Sequence, residues 1–181
     1  MTKVSELREI AMDKGGFIVA RDAADVGMDP RELPQMAYKG RLVHELHGIY
    51  RFPDLPTDDT TELRLALIWA GPEAALDGET VLAFLELCDV NPRAVHVVVS
   101  PGVRVRKQGK PIFQLRKGRV IIDYYQGLPI TSVSQAIKRA AESGMRLDLA
   151  QQAVDTAARR ELLATSAARQ LMADLKEKGR R

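Results

Sequence analysis

Apolar side chains at Val4, Leu7, Ile10 and Ala11 recur every three or four positions, the spacing of a helix that buries one face and solvates the other. The pattern predicts a helix over residues 3–14, closed by Gly15-Gly16. A short apolar lead-in, Phe17 to Val19, precedes a second predicted helix from Arg21 to Val26 and a turn at Gly27. Asp29 can then accept backbone N–H bonds at a helix start, Pro30 suits the first helical position, and Glu32 follows three residues on as a capping-box partner. A third helix is predicted over Asp29 to Lys39. Its inward stripe is Leu33, Met36 and Ala37, with Gly40 behind it, which leaves Arg31, Gln35, Tyr38 and Lys39 mainly on other faces. Pro34 conflicts with a regular helix interior, where it costs roughly 3 kcal/mol. It implies either a kink or a start near Leu33.

After Gly40 the pattern shortens. Leu42 to His44 and Ile49 to Phe52 flank Glu45 to Gly48, a span suited to a hairpin loop whose glycine takes a positive φ. Two short helices joined through a glycine turn, then a two-stranded ribbon, read as a winged helix-turn-helix, which places its second helix against DNA. The residues that would meet DNA are Arg21, Arg31, Gln35, Tyr38 and Lys39, with Arg41, His47 and Arg51 from the ribbon. The tip carries Glu45 and only His47 as a possible cation, so Arg41 and Arg51 at the ribbon base are the better phosphate contacts.

Beyond Phe52 the character changes. Pro53 to Asp59 packs two prolines and three acids into seven residues, which disfavours helix and sheet alike. Residues 54–60 are therefore expected to link a DNA-binding domain, 1–53, to a second domain, 61–181. Helices are predicted over Leu63 to Ala70, stopped by Gly71-Pro72, and over Glu79 to Leu87; Trp69 on the first reads as a core anchor. From Ala94 the period becomes two, with Val95, Val97 and Val99 alternating with His96, Val98 and Ser100. Further strands are predicted over Val103 to Lys107, Ile112 to Lys117 and Val120 to Tyr125. Leu128 to Thr131 leads out of this small sheet into helices over Ser132 to Ser143, Asp148 to Ala158 and Arg160 to Lys178. The expected class is α+β.

Composition adds little until charge is mapped along the chain. At 45% apolar and 28% charged, the 181 residues fall among ordinary globular chains able to bury a core. There is no apolar run long enough to span a bilayer, and the first residues form an amphipathic pattern unlike a secretion signal, so a cytoplasmic protein without a membrane partner is expected. The single Cys88 lies in an apolar run and reads as packing. The net charge of +3 hides a segregation: residues 53–92 set Arg64 against nine acids, whereas residues 93–119 hold eight cations and no acid. Beyond Arg93 these are Arg104, Arg106, Lys107, Lys110, Arg116, Lys117 and Arg119, suited to phosphate or an acidic protein. The alternation in VRVRK would line up Arg104 and Arg106 as a basic sheet face, although a solvated face is the plainer reading.

Chemistry for catalysis is missing. His44 and His47 have no second cluster to complete tetrahedral metal ligation, and His96 is remote in sequence. Asp123 is not followed by the acid-x-lysine that a nuclease reading needs, and no glycine-rich phosphate loop occurs. No enzyme activity, metal or cofactor is expected.

In order, KGRLVHELHGIYRF, LALIWAGPEAALDGETVLAFLELCDVNP, AVHVVVSPGVRVRK and YYQGLPITSVSQAI resemble the AbiEi family of antitoxins from bacterial type IV toxin–antitoxin systems, over about residues 4 to 140. The resemblance implies an N-terminal winged helix that binds inverted repeats and represses its own operon. It also implies a C-terminal domain that neutralises a nucleotidyltransferase-like toxin. Operator DNA and that toxin would be the partners, and inverted repeats favour paired subunits. Pro34 and the His44-Glu45-Leu46-His47 wing, where arginines are expected, depart from the pattern. The alternative is an antitoxin with a degenerate winged helix that grips its toxin through the basic sheet face.

Overall fold

The computed structural model describes residues 2–105 and 109–178. The chain divides into two units, Met1–Gly71 with Val105–Lys110, and Pro72–Arg104 with Pro111–Arg181. Both mix helices with a small sheet, so the class is α+β.

The first unit begins with α1 (Lys3–Asp13), whose Thr2 and Ser5 side chains each accept the other's backbone N–H. Strand β1 (Phe17–Val19) and helix α2 (Ala20–Asp25) follow. The lead-in at 17–19 is thus a strand, antiparallel to β3 (Ile49–Arg51), which also pairs with β2 (Val43–Leu46). Asp22, buried, fastens this corner by accepting from the Val19 N–H at 2.8 Å and from the Lys14 ammonium. Leu7, Ala11, Ile18, Ala23, Leu33, Tyr50 and Phe52 form the core.

Helix α3 runs over Glu32–Tyr38, shorter than the expected Asp29 to Lys39, and its start lies beside Leu33, the later start that Pro34 implied as the alternative to a kink. The capping pair is real but sits one turn earlier. Asp29 accepts from the Arg31 N–H at 2.9 Å and Glu32 from the Asp29 N–H at 3.3 Å, closing the turn before the helix. Pro34 therefore falls in the first turn, where backbone N–H groups have no intrahelical acceptor, and neither kinks the helix nor costs it a bond. The ribbon also differs from expectation. β2 continues to Leu46, which leaves only His47 and Gly48 between the strands, because Glu45 is taken up as a bulge between the His44–Tyr50 and Leu46–Ile49 pairs.

The expected division at 54–60 falls instead after Gly71. Arg8 clasps Asp54 with two bonds of 2.9 and 2.6 Å, holding Asp54 below its ordinary carboxylate pKa, and lies over the Phe52 ring. Helix α4 (Thr61–Ala70) stays with the first unit: the Arg64 side chain lies against Gly15, Glu62 is 3.5 Å from Lys110, and half-buried Trp69 covers Gly109.

In the second unit the five-stranded sheet has the order β6-β5-β4-β8-β7. Its strands are β4 (Ala75–Leu76), β5 (Val95–Val99), β6 (Phe113–Lys117), β7 (Ile122–Tyr125) and β8 (Leu128–Thr131). β4 is antiparallel to β5 and parallel to β8; β5 and β6 are parallel, β7 and β8 antiparallel. Helices α5 (Gly78–Phe84), α6 (Val133–Glu142), α7 (Leu147–Arg159) and α8 (Thr165–Lys178) complete it.

Four expectations are corrected here. No strand forms over 103–105, where the Val103 N–H turns back to the Ser100 carbonyl at 3.0 Å, and Arg106 and Lys107 lie outside the described residues. Leu128 to Thr131 is a strand within the sheet, Pro129 notwithstanding. The helices expected to reach Leu87 and to start at Arg160 respectively stop at Phe84 and begin at Thr165. Among the described residues no helix is long and apolar enough to cross a membrane.

Candidate nucleic-acid interface and the charged clusters of the second unit

Two glycines set the geometry of the first unit's outer face. Gly27 and Gly40, at φ of 70° and 72°, follow α2 and α3, and each closes its helix with the same pair of bonds. Gly27 and Met28 donate to Ala24 and Ala23, while Gly40 and Arg41 donate to Ala37 and Met36. The short α2–α3 connection is thereby fixed, with Leu33 and Met36 buried beneath α3. Arg31, Gln35 and Tyr38 fall at i, i+4 and i+7 on the outer side, and all are exposed, Tyr38 at 94%. Lys39 and Arg41, also exposed, extend that surface past the helix end, and Arg21 is exposed on α2.

The ribbon contributes less than expected. Arg51 points its Nε at Glu45 at 2.8 Å, both side chains mostly buried, and its guanidinium also meets the Phe52 carbonyl. A cation so engaged has little left for a phosphate. His47 is exposed at the tip, and His44 leans on Tyr50 with ring centroids 5.1 Å apart.

The described cations of residues 93–119 are divided between the two units. Arg93, Arg104, Lys117 and Arg119 are exposed in the second unit, Arg116 meets Ser143 at 3.2 Å and Glu142 at 3.8 Å, and Lys110 belongs to the first unit.

Sequence reasoning missed a buried polar cluster of the second unit. Asp77, 3% exposed, accepts from Thr131 Oγ at 3.0 Å through one oxygen and from Arg139 Nη1 at 2.8 Å through the other. Arg139, 9% exposed, also donates to the Arg119 carbonyl at 2.7 Å. Both carboxylate oxygens are taken, so Asp77 is no free base. The readable signal was an arginine on the otherwise apolar stripe of α6, beside Ala136 and Ala140. Above the pair opens a cleft of about 340 Å³ bordered by Glu79, His96, Gln114, Arg116 and Ser143. Its acids and cations nearly balance. Among the described residues no group of three His, Cys, Asp or Glu side chains could hold a metal ion.

No protein-family model and no curated protein matches the chain. Among solved structures it is similar to the RV2827C protein from Mycobacterium tuberculosis. That crystal structure matches with a TM-score of 0.48 and 14% sequence identity, over 96% of this chain and 81% of that chain.

Proposed function

We propose that the chain is the antitoxin of a type IV toxin–antitoxin system of AbiEi type, a non-catalytic cytoplasmic protein. In this reading the first unit is a winged helix-turn-helix that represses its own operon, and the second neutralises a nucleotidyltransferase-like toxin. The observation that carries the DNA half is the outer side of α3. A helix fixed at both ends by local bonds shows solvent a guanidinium, an amide, a phenol and an ammonium, with Arg41 beyond its end. Arginine and glutamine offer the paired donors and acceptors that read base edges in the major groove, and lysine suits phosphate. The toxin half is supported by the sequence resemblance, and the exposed Arg93, Arg104, Lys117 and Arg119 offer an acidic partner a basic surface.

A gel shift on the DNA upstream of the chain's own gene, at low and moderate salt, tests the first half. The expected result is a complex that weakens with salt. Arg31→Ala or Gln35→Ala should then cost about 1–3 kcal/mol and relax sequence preference, whereas Lys39→Ala or Arg41→Ala should weaken all sequences alike and lower the salt slope by about one. No shifted band at either salt overturns it. Failure to neutralise the product of the neighbouring gene when the two are co-expressed overturns the second half.

A further inference from the structure

The two edges of the five-stranded sheet are unlike. β6 ends in Arg116 and Lys117, charges of the kind that keep an edge from pairing with another chain. β7 has no lysine, proline or bulge, and its register with β8 is unbroken from Ile122–Thr131 to Tyr125–Leu128. It is also the apolar edge: Ile121, Ile122 and Tyr124 are 52%, 40% and 69% exposed.

Hydrogen-bond direction shows which groups this edge offers. Gln126 and Gly127, at φ of 47° and 76°, close a two-residue hairpin turn on the Tyr125–Leu128 pair, which therefore exchanges hydrogen bonds. Counting back in twos, Asp123 and Ile121 also face β8, and the Ile121 carbonyl does accept from the Ser132 N–H at 3.2 Å. Two residues earlier, ahead of the strand, the Arg119 carbonyl is occupied by two side chains of α6, Arg139 Nη2 and Gln135 Nε2 at 2.9 Å. The alternation leaves the backbone groups of Ile122 pointing outward and, carried back past the start of the strand, those of Val120 as well. The Tyr124 N–H, next in the outward series, is covered by its neighbour's Asp123 Oδ1 at 2.8 Å. The open stretch is Arg119-Val120-Ile121-Ile122-Asp123.

That stretch complements itself when reversed. We propose that it pairs antiparallel with the same stretch of a second copy of this chain, centred on Ile121, to join two five-stranded sheets edge to edge. In this register Val120 and Ile122 exchange backbone hydrogen bonds with Ile122 and Val120 of the second copy, and Ile121 meets Ile121. Arg119 stands opposite Asp123 at both ends. Shifting the centre to Asp123 would oppose two carboxylates, and a centre on Ile122 would leave both charges without an opposite charge. Within one chain Arg119 and Asp123 are four positions apart, roughly 13 Å along an extended strand, too far for an ion pair. The pairing stands independently of the DNA reading.

Sedimentation equilibrium of the full chain over a range of concentrations tests it, with circular dichroism to verify folding. The wild type should dimerise. Asp123→Arg and Arg119→Asp should each weaken association by about tenfold or more, since each places like charges opposite one another at both ends. The double variant Arg119→Asp/Asp123→Arg should restore it. Ile122→Pro, which removes an outward N–H and leaves the β8 ladder intact, should also yield a monomer. A wild type monomeric at every concentration, a single variant that dimerises as the wild type does, or a double variant that stays monomeric overturns the proposal.

Discussion

At Cys88, burial pushes the thiol up to about 11. The protonated form is favoured in the folded chain, whereas the unfolded chain releases its proton near the ordinary thiol value of about 8.5. Folding therefore holds more protons between these values, and the stability due to this group falls as pH rises through about 9 to 11. Urea midpoints of the wild type and Cys88→Ala, followed from pH 8 to 11, should show the wild type losing more; parallel curves would refute it. Cys88 is only half-buried, so its sequence reading as a small core hydrophobe captured the environment's polarity but not its depth. Arg51 teaches a related point. Its place at the ribbon base was readable, but its capture by Glu45 depends on a bulge that no spacing rule reveals.

Helix ends are the scale at which the sequence was most and least legible. Where glycine follows a helix, as at Gly15, Gly27, Gly40 and Gly144, the stop falls within a residue or two of expectation. The ends of α5 and α7 use the same bonds with a glutamate in the left-handed position: Glu86 at φ 53° and Glu161 at φ 57°. A side chain there costs about 1 kcal/mol, so no residue type marks the stop; α5 ends well before the expected Leu87, whereas α7 ends at Arg159, one residue past the expected Ala158. Glu86→Gly and Glu161→Gly should each raise unfolding free energy by roughly 0.5–1 kcal/mol in urea titrations, and a loss at both positions would contradict the assignment. Strand β8 was hidden for a comparable reason. Pro129 sits opposite Tyr124 in a pair that exchanges no hydrogen bonds, so its missing N–H costs the β7 ladder nothing. The outward stripe of α3 was legible because exposure follows from helical spacing alone, even with the helix start misplaced by three residues.

At the scale of the whole molecule, the second unit is tied across its length by the Asp77–Arg139 pair, 62 positions apart in sequence. Removing one member strands the other's charge in the interior, which typically costs about 3–5 kcal/mol, whereas replacing both by apolar groups is far gentler. Arg139→Met should therefore destabilise more than Asp77→Leu/Arg139→Met, measured by thermal or urea unfolding, and the reverse order would show the pair to be peripheral. The division into two units has a different consequence. Val105–Lys110 completes the first unit after more than thirty residues of the second have been traversed, and Gly109 lies where a side chain would strike the Trp69 ring. On a ribosome the leading unit cannot finish assembling until part of the following one has emerged. A gene cut at codon 71 would thus encode an amputated piece, its lone indole stripped of its cover.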